Sequence, residues 1–245
     1  MSYNYLLLDL DGTLLPMEMD KFLNAYLRAV STWMAPYMAP DRFAKCLMAS
    51  TREMIANLDP GRSNEAVFWD DFIPRTGLDK EEIQPVFERF YREEFPKLAA
   101  VAQPTPVAGR ICARGLELGA ELVIATNPIF PRRAIEERLR WAGIEAFPFR
   151  LVTAYENTHF CKPQPQYYRQ ILDHLGADPE ECLMVGNDPA EDLVAQDLGI
   201  ATYLVLDHVV PRPGTQRRPD FQGRLAALPA FLEEKLGKGR SAAAN

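Results

Sequence analysis

The chain has few cysteines, and no pattern connects them. Cys46, Cys112, Cys161 and Cys182 are scattered along 245 residues, without the close pairs that hold a zinc ion. A chain of this length has enough apolar residues for a sizeable core and does not need disulfides. We therefore expect reduced thiols and a cytoplasmic location.

Long hydrophobic runs and basic clusters are also missing. The apolar run near the N-terminus is short and is followed at once by acids, unlike a signal peptide. No segment approaches the roughly 20 apolar residues of a membrane span. The formal charge is −7, and no basic stripe with interleaved aromatic residues is visible. We expect neither a membrane nor a nucleic acid as a partner.

A pair of acids after the first apolar run is the most informative feature of the sequence. Tyr5-Leu6-Leu7-Leu8 is typical of a strand buried on both faces, and Asp9-Leu10-Asp11-Gly12-Thr13 follows it. Because side chains alternate along a strand, Asp9 and Asp11 point the same way. Two adjacent buried carboxylates are costly unless a cation or a proton lies between them. This favours a divalent metal and catalysis over acids that simply cap the next element.

Helical periodicity dominates the next part of the chain, and alternating strands and helices follow it. Residues 17–97 are predicted to be all helical, with helices at 21–38, from Asp41 to about Leu58, from a cap at Asn64, and from Asp79 to about Phe95. Later helices are predicted at 107–118, 132–141, 166–175, 190–198 and 225–236, and strands at 121–125, 151–153, 182–185 and 202–206. This order is typical of an α/β fold with a parallel sheet and a helical insertion after the first strand.

Polar residues follow the later predicted strands as well. Thr126 and Asn127 come after one strand, and Asp188 after another, with Asp192 one helical turn later. Lys162 precedes Pro163 and a predicted helix. Singly, each fits a capping turn, a solvated lysine or acids at a helix N-terminus. Because parallel strands end at one sheet edge, together they predict a site for phosphoryl transfer.

These motifs, in this order, resemble those of the haloacid dehalogenase superfamily of hydrolases. The four motifs are Asp9-Leu10-Asp11-Gly12-Thr13, then Thr126, then Lys162-Pro163, then Gly186-Asn187-Asp188 with Asp192. The resemblance spans Tyr5 to about Leu206. It implies a Rossmann-like core of residues 1–16 and 98–245, and a C1-type helical cap of residues 17–97.

The resemblance also assigns chemical roles at the site. It implies that Asp9 is the nucleophile that becomes an aspartyl-phosphate and that Asp11 is the general acid and base. It implies that Mg²⁺ is held by the Asp9 carboxylate, the Asp11 backbone carbonyl and Asp188. The fourth motif departs from the frequent Gly-Asp form because Asn187 intervenes, and Asp188 is assigned as the metal ligand.

The remaining motif residues are expected to bind phosphate or to support the residues that do. Thr126 and Lys162 would hold phosphate oxygens, with help from Asn127, and Asp192 would support the site without binding the metal directly. A dehalogenase is disfavoured because that chemistry uses no second aspartate and no metal. A phosphomutase of the same superfamily and a non-catalytic binding protein stay open as alternatives to a phosphatase.

The sequence leaves the substrate beyond a small phosphorylated metabolite unspecified, and it gives no oligomeric state. Substrate choice is expected to lie in the predicted cap. Trp69, Asp70, Arg75 and Lys21 are candidates there, although a packing or solvated role is favoured for each of them.

Overall fold

The apolar run that the sequence places first forms the central strand of a parallel sheet in a computed structural model of the chain. Across residues 3–211, 214 and 217–241, which the structure describes, six strands form one sheet in the order β3-β2-β1-β4-β5-β6. The strands are β1 (Tyr5–Leu8), β2 (Glu121–Ile124), β3 (Phe149–Val152), β4 (Cys182–Gly186), β5 (Ala201–Val205) and β6 (Phe221–Gly223). Every pairing is parallel.

Helices connect the strands, and four of them lie in the long segment between β1 and β2. These four are α1 (Met19–Trp33), α2 (Pro40–Ala56), α3 (Asn64–Thr76) and α4 (Lys80–Glu93). The later helices are α5 (Val107–Glu117), α6 (Arg132–Trp141), α7 (Pro165–Leu175) and α8 (Leu228–Ser241). We call α1–α4 the helical insertion; the exact domain boundaries stay a prediction. Among the described residues, no helix combines the length and apolarity needed to cross a bilayer.

The sheet is buried on both faces, as the predicted α/β fold requires. Leu6 and Leu8 of β1 belong to the hydrophobic core that includes the helical insertion, whereas Leu7 belongs to a second core against α7. All three leucines are fully buried. Alternation along β1 therefore supplies apolar side chains to two layers of helices, which confirms a doubly covered α/β sheet.

Aromatic side chains of the helical insertion pack against aromatic side chains of the core. Phe22 of α1 is fully buried, and its ring lies 6.0 Å from that of Phe130 and 6.4 Å from that of Trp141. Tyr26, one turn later, has its ring 5.0 Å from Phe130 in an edge-to-face arrangement. Such contacts add to the burial of apolar area and hold α1 against α6.

Two predicted helix starts in the insertion were wrong in detail. Asp41 does not cap α2, which begins at Pro40 after Ala39 without a side-chain cap. Asn64 does not cap α3 either, because the Ser63 hydroxyl accepts from the backbone N–H of Ala66 and takes that role. The prediction at Asp79 is confirmed, since its carboxylate accepts from the backbone N–H of Glu81.

Asn64 instead anchors the insertion to the core. It is fully buried, and its backbone N–H donates to the Thr158 carbonyl at 2.8 Å. Its side-chain Nδ2 lies 3.0 Å from the Thr158 hydroxyl and 3.3 Å from the carbonyl of Phe160. Because the Asn64 amide is buried and bonded to distant residues, it does not cap α3, and the neighbouring Ser63 does so.

The C-terminal part also differs from the sequence-based assignment. The predicted helix over 190–198 is a short 3₁₀ helix that begins only at Leu193. The strand β6 was missed, and α8 continues beyond the predicted end at Leu236, as far as Ser241. Residues 242–245 of the C-terminal tail lie outside the described residues.

Truncating the aromatic contact between insertion and core should be costly for stability. We expect Phe22→Ala to lower the free energy of unfolding by about 3–5 kcal/mol, the usual cost of deleting a buried aromatic ring. Urea denaturation followed by circular dichroism measures it. The control Leu58→Ala, at a side chain that is 59% exposed, should change it by less than about 0.5 kcal/mol. Equal effects of the two substitutions would contradict this packing.

Candidate active site

The ends of three neighbouring strands meet at one edge of the sheet. Leu8 at the end of β1 is level with Ile124 of β2 and with Val185 of β4. The backbone N–H of Asp9 donates to the Val185 carbonyl at 2.9 Å, and that of Ala125 donates to the Leu8 carbonyl at 2.8 Å. The polar residues that follow these strands therefore emerge side by side.

Asp9 is buried, and both of its carboxylate oxygens have partners. Oδ1 accepts from the ammonium group of Lys162 at 3.0 Å, and Oδ2 lies 2.9 Å from the hydroxyl of Thr13. Only 7% of Asp9 is exposed. Burial raises the pKa of Asp9, Lys162 opposes that rise, and the nearby Asp11 carboxylate adds to it. These contacts fix the orientation of the Asp9 carboxylate at the strand end.

Lys162 connects two acids from distant parts of the chain. Its Nζ is 3.0 Å from Asp9 Oδ1 and 2.6 Å from Asp192 Oδ1, and its side chain is 1% exposed. Burial alone would lower the pKa of Lys162, but Asp192 and Asp9 outweigh this effect and raise that pKa well above its usual value. The residue is therefore a permanently charged ammonium group between two carboxylates.

Asn187 joins the first motif to the fourth. The Thr13 hydroxyl lies 3.0 Å from Asn187 Oδ1 as well as close to Asp9, and it can donate to one of them at a time. Asn187 Nδ2 donates to the backbone carbonyl of His208 at 2.6 Å. Gly12 has a φ of 79°, and a Cβ there would overlap the Asn187 amide. Glycine at this position therefore serves both the sharp turn and the close approach.

The acids after β4 are held by backbone groups of their own loop. Asp188 Oδ1 accepts from the backbone N–H of Ala190 at 2.9 Å and of Glu191 at 3.3 Å. Asp192 Oδ2 accepts from the backbone N–H of Asp188 at 2.9 Å. Any Cβ on Gly186 would overlap the Asp192 carboxylate. These local bonds replace the first turn of the predicted helix and place both acids at the end of β4.

Thr126 and Asn127 follow β2, and their contacts come from α7, from the segment after β3 and from the loop after β4. The Thr126 carbonyl accepts from the hydroxyl of Thr153 at 2.8 Å and from that of Tyr167 at 2.9 Å. Asn127 Nδ2 donates to Glu191 Oε2 at 3.0 Å. Burial raises the pKa of Glu191 to about 7. The backbone after β2 is therefore rigid, while phosphate binding by the Thr126 hydroxyl stays a prediction.

Asp11 has a partner that sequence reasoning missed. Arg138 Nη1 forms an ion pair with Asp11 Oδ2, although Arg138 lies 127 residues away on α6 and is 1% exposed. The guanidinium lies 4.5 Å from the ring centroid of Phe130. Burial raises the pKa of Asp11, whereas Arg138 and Lys162 counteract that rise. A signal for Arg138 was present, because it occupies the apolar face of α6 together with Ile135.

The predicted site residues therefore form connected groups. Hydrogen bonds link Asp9, Lys162, Asp192, Asp188 and Asn187, and Asn127 joins them through Glu191. Asp11 is bound separately, by Arg138, and Thr126 is held through its backbone carbonyl. Sequence reasoning missed Arg138, Glu191 and the link made by Asn187.

The chemistry of the site fits a divalent cation. Among the residues that the structure describes, no cluster of three or more His, Cys, Asp and Glu side chains has the arrangement of a metal site. The metal site predicted from the sequence would not form such a cluster. It uses only two side chains, those of Asp9 and Asp188, together with the backbone carbonyl of Asp11. All are hard oxygen ligands of the type that Mg²⁺ prefers.

Charge at this sheet edge also favours a cation. The acids are Asp9, Asp11, Asp188, Glu191 and Asp192, and the cations are Lys162 and Arg138. Asp11 Oδ1 is buried without a hydrogen-bond partner among the described residues. A surplus of carboxylates away from water is costly unless further positive charge or protons offset it. A bound Mg²⁺ would supply that positive charge.

Comparison with known proteins agrees with this arrangement. The sequence pattern of haloacid dehalogenase-like hydrolases matches residues 3–197. A pyrophosphatase PpaX of Halalkalibacterium halodurans is 24% identical over 205 residues, which are 84% of each chain. A phosphoglycolate phosphatase of Rhodospirillum rubrum is 31% identical over 157 residues, or 62% of this chain and 59% of that protein.

Solved structures show the same fold. A phosphatase of this family from Thermococcus onnurineus superposes with a TM-score of 0.60 at 18% identity, covering 95% of this chain and 98% of the other. The match confirms the predicted Rossmann-like α/β fold. The family pattern and the phosphatases among the relatives confirm the predicted enzyme class, a hydrolase of the phosphatase kind. On the strength of the matched residues 3–197, the chain belongs to the haloacid dehalogenase-like hydrolase family.

Proposed function

We propose that the chain is a Mg²⁺-dependent phosphomonoesterase that acts on a small phosphorylated substrate through an aspartyl-phosphate. The observation that carries this proposal is the placement of the Asp9 carboxylate, held between Lys162 and Thr13 with Asp11 two residues away. Two relatives named for phosphatase activities support a phosphate ester or anhydride as the substrate.

In the first step, an oxygen of the Asp9 carboxylate attacks phosphorus, and the bond from phosphorus to the leaving oxygen breaks. Asp11 donates its proton to that oxygen, which departs as an alcohol. Lys162 lies beside the attacking carboxylate and balances the charge on the phosphoryl oxygens. We assign the Thr126 hydroxyl and the Asn127 amide to the same oxygens.

In the second step, water attacks the phosphorus of the aspartyl-phosphate. Asp11, now ionised, takes a proton from this water, and the bond between phosphorus and Asp9 breaks to release phosphate. Mg²⁺ bound by Asp9, Asp188 and the Asp11 carbonyl would screen the repulsion between the anionic nucleophile and the anionic substrate. Asp192 holds Lys162 in place and needs no direct contact with the metal.

We assign the helical insertion as a C1-type cap spanning residues 17–97. Its support is the position of the insertion, directly after β1, and the anchoring of Asn64 on the loop that precedes Lys162. A cap at this place would exclude bulk water from the reaction. Two other functions use the same residues: a phosphomutase, which shields the phospho-enzyme from water, and a binding protein without turnover.

Replacing the nucleophile should abolish activity. With p-nitrophenyl phosphate and Mg²⁺, we expect Asp9→Asn to lower kcat by at least about 10³-fold, since the amide cannot form the covalent intermediate. The matched control Asp41→Asn, at an exposed acid in the first turn of α2, should retain full activity. Turnover that persists in the Asp9 variant or without Mg²⁺ would refute the mechanism. No turnover by the native protein on a panel of phosphorylated metabolites would favour the mutase or the binding protein.

The metal assignment is tested separately at Asp188. We expect Asp188→Asn to raise the Mg²⁺ concentration for half-maximal activity by about 10- to 100-fold, because a neutral amide is a poorer ligand for a hard cation. Mg²⁺ should also raise the Tm of the native protein more than that of the variant. An unchanged Mg²⁺ requirement in Asp188→Asn, measured beside the Asp41→Asn control, would rule out Asp188 as a ligand.

We further assign Arg138 as a positioning residue for Asp11, tested by a double-mutant cycle. Breaking a buried ion pair on one side leaves an uncompensated charge, so Arg138→Met should lower the free energy of unfolding by about 3–5 kcal/mol. In the Asp11→Asn background, the same substitution should cost at least about 1 kcal/mol less. Urea denaturation of all four proteins gives the coupling. Additive effects would show that the two side chains act independently.

A further inference from the structure

The helical insertion binds the segment around Lys162 on both sides of that residue. At the end of α2, the Asn57 side-chain amide donates to the His159 carbonyl at 3.2 Å. Gln164, two residues after Lys162, donates from its side chain to the backbone carbonyl of Ile55 in α2. The position of Lys162 in the core therefore depends on contacts with the insertion.

Asn64, at the start of α3, makes the closest set of these contacts. Its Nδ2 lies 3.0 Å from the Thr158 hydroxyl and 3.3 Å from the Phe160 carbonyl. The Sγ of Cys161, the residue directly before Lys162, also lies 3.3 Å from this nitrogen. Because Nδ2 carries two hydrogens, these acceptors share them. One buried amide group thus binds three of the four residues that precede Lys162.

The orientation of the Asn64 amide follows from the groups around it. The Thr158 hydroxyl donates to the Ala154 carbonyl at 2.8 Å, so it accepts from Asn64 and has no second hydrogen to give. The Phe160 carbonyl can only accept. With the amide reversed, Asn64 Oδ1 would face these two oxygens without a donor between them. The two N–H groups of Asn64 are therefore directed at the segment before Lys162.

An amide at this position is not explained by stability alone. Asn64 Oδ1 is buried and has no hydrogen-bond partner among the described residues. A buried acceptor without a partner lowers stability, and an apolar side chain of similar size would avoid that cost. Capping of α3 does not require Asn64 either, since Ser63 caps the helix. What the amide supplies is its pair of donors toward the segment before Lys162.

We propose that Asn64 is a positioning residue for Lys162. The ammonium group at the end of the Lys162 side chain is held by Asp9 and Asp192, and Asn64 fixes the main chain that leads to this side chain. The inference rests on the phosphate-binding role that the proposed function gives to Lys162. The helical insertion then contributes to phosphate binding through the backbone of the core.

Substitution of Asn64 tests this role through two separate affinities. Asn64→Leu keeps the size of the side chain and removes both donors. At saturating Mg²⁺, we expect the Kd for inorganic phosphate, measured by calorimetry, and the KM for p-nitrophenyl phosphate each to rise about 10-fold, as misplacement of a binding group implies. The Mg²⁺ concentration for half-maximal activity should change less than about twofold, because Asp9 and Asp188 lie on other segments. A general loosening of the site would raise both affinities' constants together.

A matched control lies at the other end of the same helix. Thr76 is buried, and its hydroxyl donates to the Phe72 carbonyl within α3 at 2.8 Å. Thr76→Val also deletes a buried hydrogen bond of α3, but at a place that does not contact the segment before Lys162. We expect this variant to keep the native Kd for inorganic phosphate.

A second variant tests the same hydrogen bond from the core. Thr158→Val removes the hydroxyl that accepts from Asn64, and it should raise the Kd for inorganic phosphate at least about threefold. Combined with Asn64→Leu, it should add little, because the two substitutions break one contact. Circular dichroism shows whether each variant is folded, and Thr158→Val carries the test if Asn64→Leu is not.

The outcomes separate this inference from the function beneath it. Native phosphate affinity in both variants, a parallel loss of phosphate and Mg²⁺ affinity, or an equal loss in Thr76→Val would overturn the role of Asn64 and leave the phosphatase intact. If the native protein binds phosphate but hydrolyses no ester, the phosphatase is overturned, and the Kd values still decide the role of Asn64. If it neither binds phosphate nor hydrolyses an ester, both are overturned.

Discussion

The burial of several carboxylates at the end of a parallel sheet is the constraint that shapes this molecule. Asp9, Asp188 and Asp192 are each at most 7% exposed, and such groups are stable together only with compensating positive charge. Lys162 provides part of it through ion pairs with two of them. Because removal of either partner would strand a buried charge, the loop before α7 and the ends of β1 and β4 have to be positioned together.

Close packing around these charges restricts which residues the turns can contain. Gly12 lies against the Asn187 amide and Gly186 against the Asp192 carboxylate, with no room for a Cβ at either place. The Asn187 amide and the Asp192 carboxylate thus occupy the space that a Cβ at Gly12 or Gly186 would need. This explains why the first and fourth motifs each contain glycine beside the acids, on physical grounds that are independent of any resemblance.

The sequence predicted the strand ends well because two local rules suffice for them. A short apolar run between turn residues predicts a buried strand, and parallel strands bring their C-terminal ends together. The prediction of a helix over 190–198 was wrong because Asp188 and Asp192 accept hydrogen bonds from backbone N–H groups of their own loop. These bonds compete with helical hydrogen bonds, and the periodicity of apolar residues does not show this competition.

Contacts between residues far apart in the sequence could not be predicted, for a different reason. Asn64 looked like a helix cap because capping is a local rule, yet its partners lie 94 and 96 residues away. Arg138 was not among the candidate residues named from the sequence. Its position on the apolar face of α6 signalled burial, but nothing in the sequence identified Asp11 as the partner.

Arg138 contacts both the helical insertion and the end of the central strand. Its guanidinium pairs with Asp11, and its Cζ lies 4.5 Å from the ring centroid of Phe130 and 5.7 Å from that of Phe22. A planar, delocalised cation is suited to this place because it can pair with a carboxylate and stack on aromatic rings at once, which a lysine cannot do equally well. Phe22 belongs to the helical insertion and Asp11 to the end of the central strand. The packing of the insertion on α6 therefore sets the surroundings of the arginine that pairs with the proposed general acid.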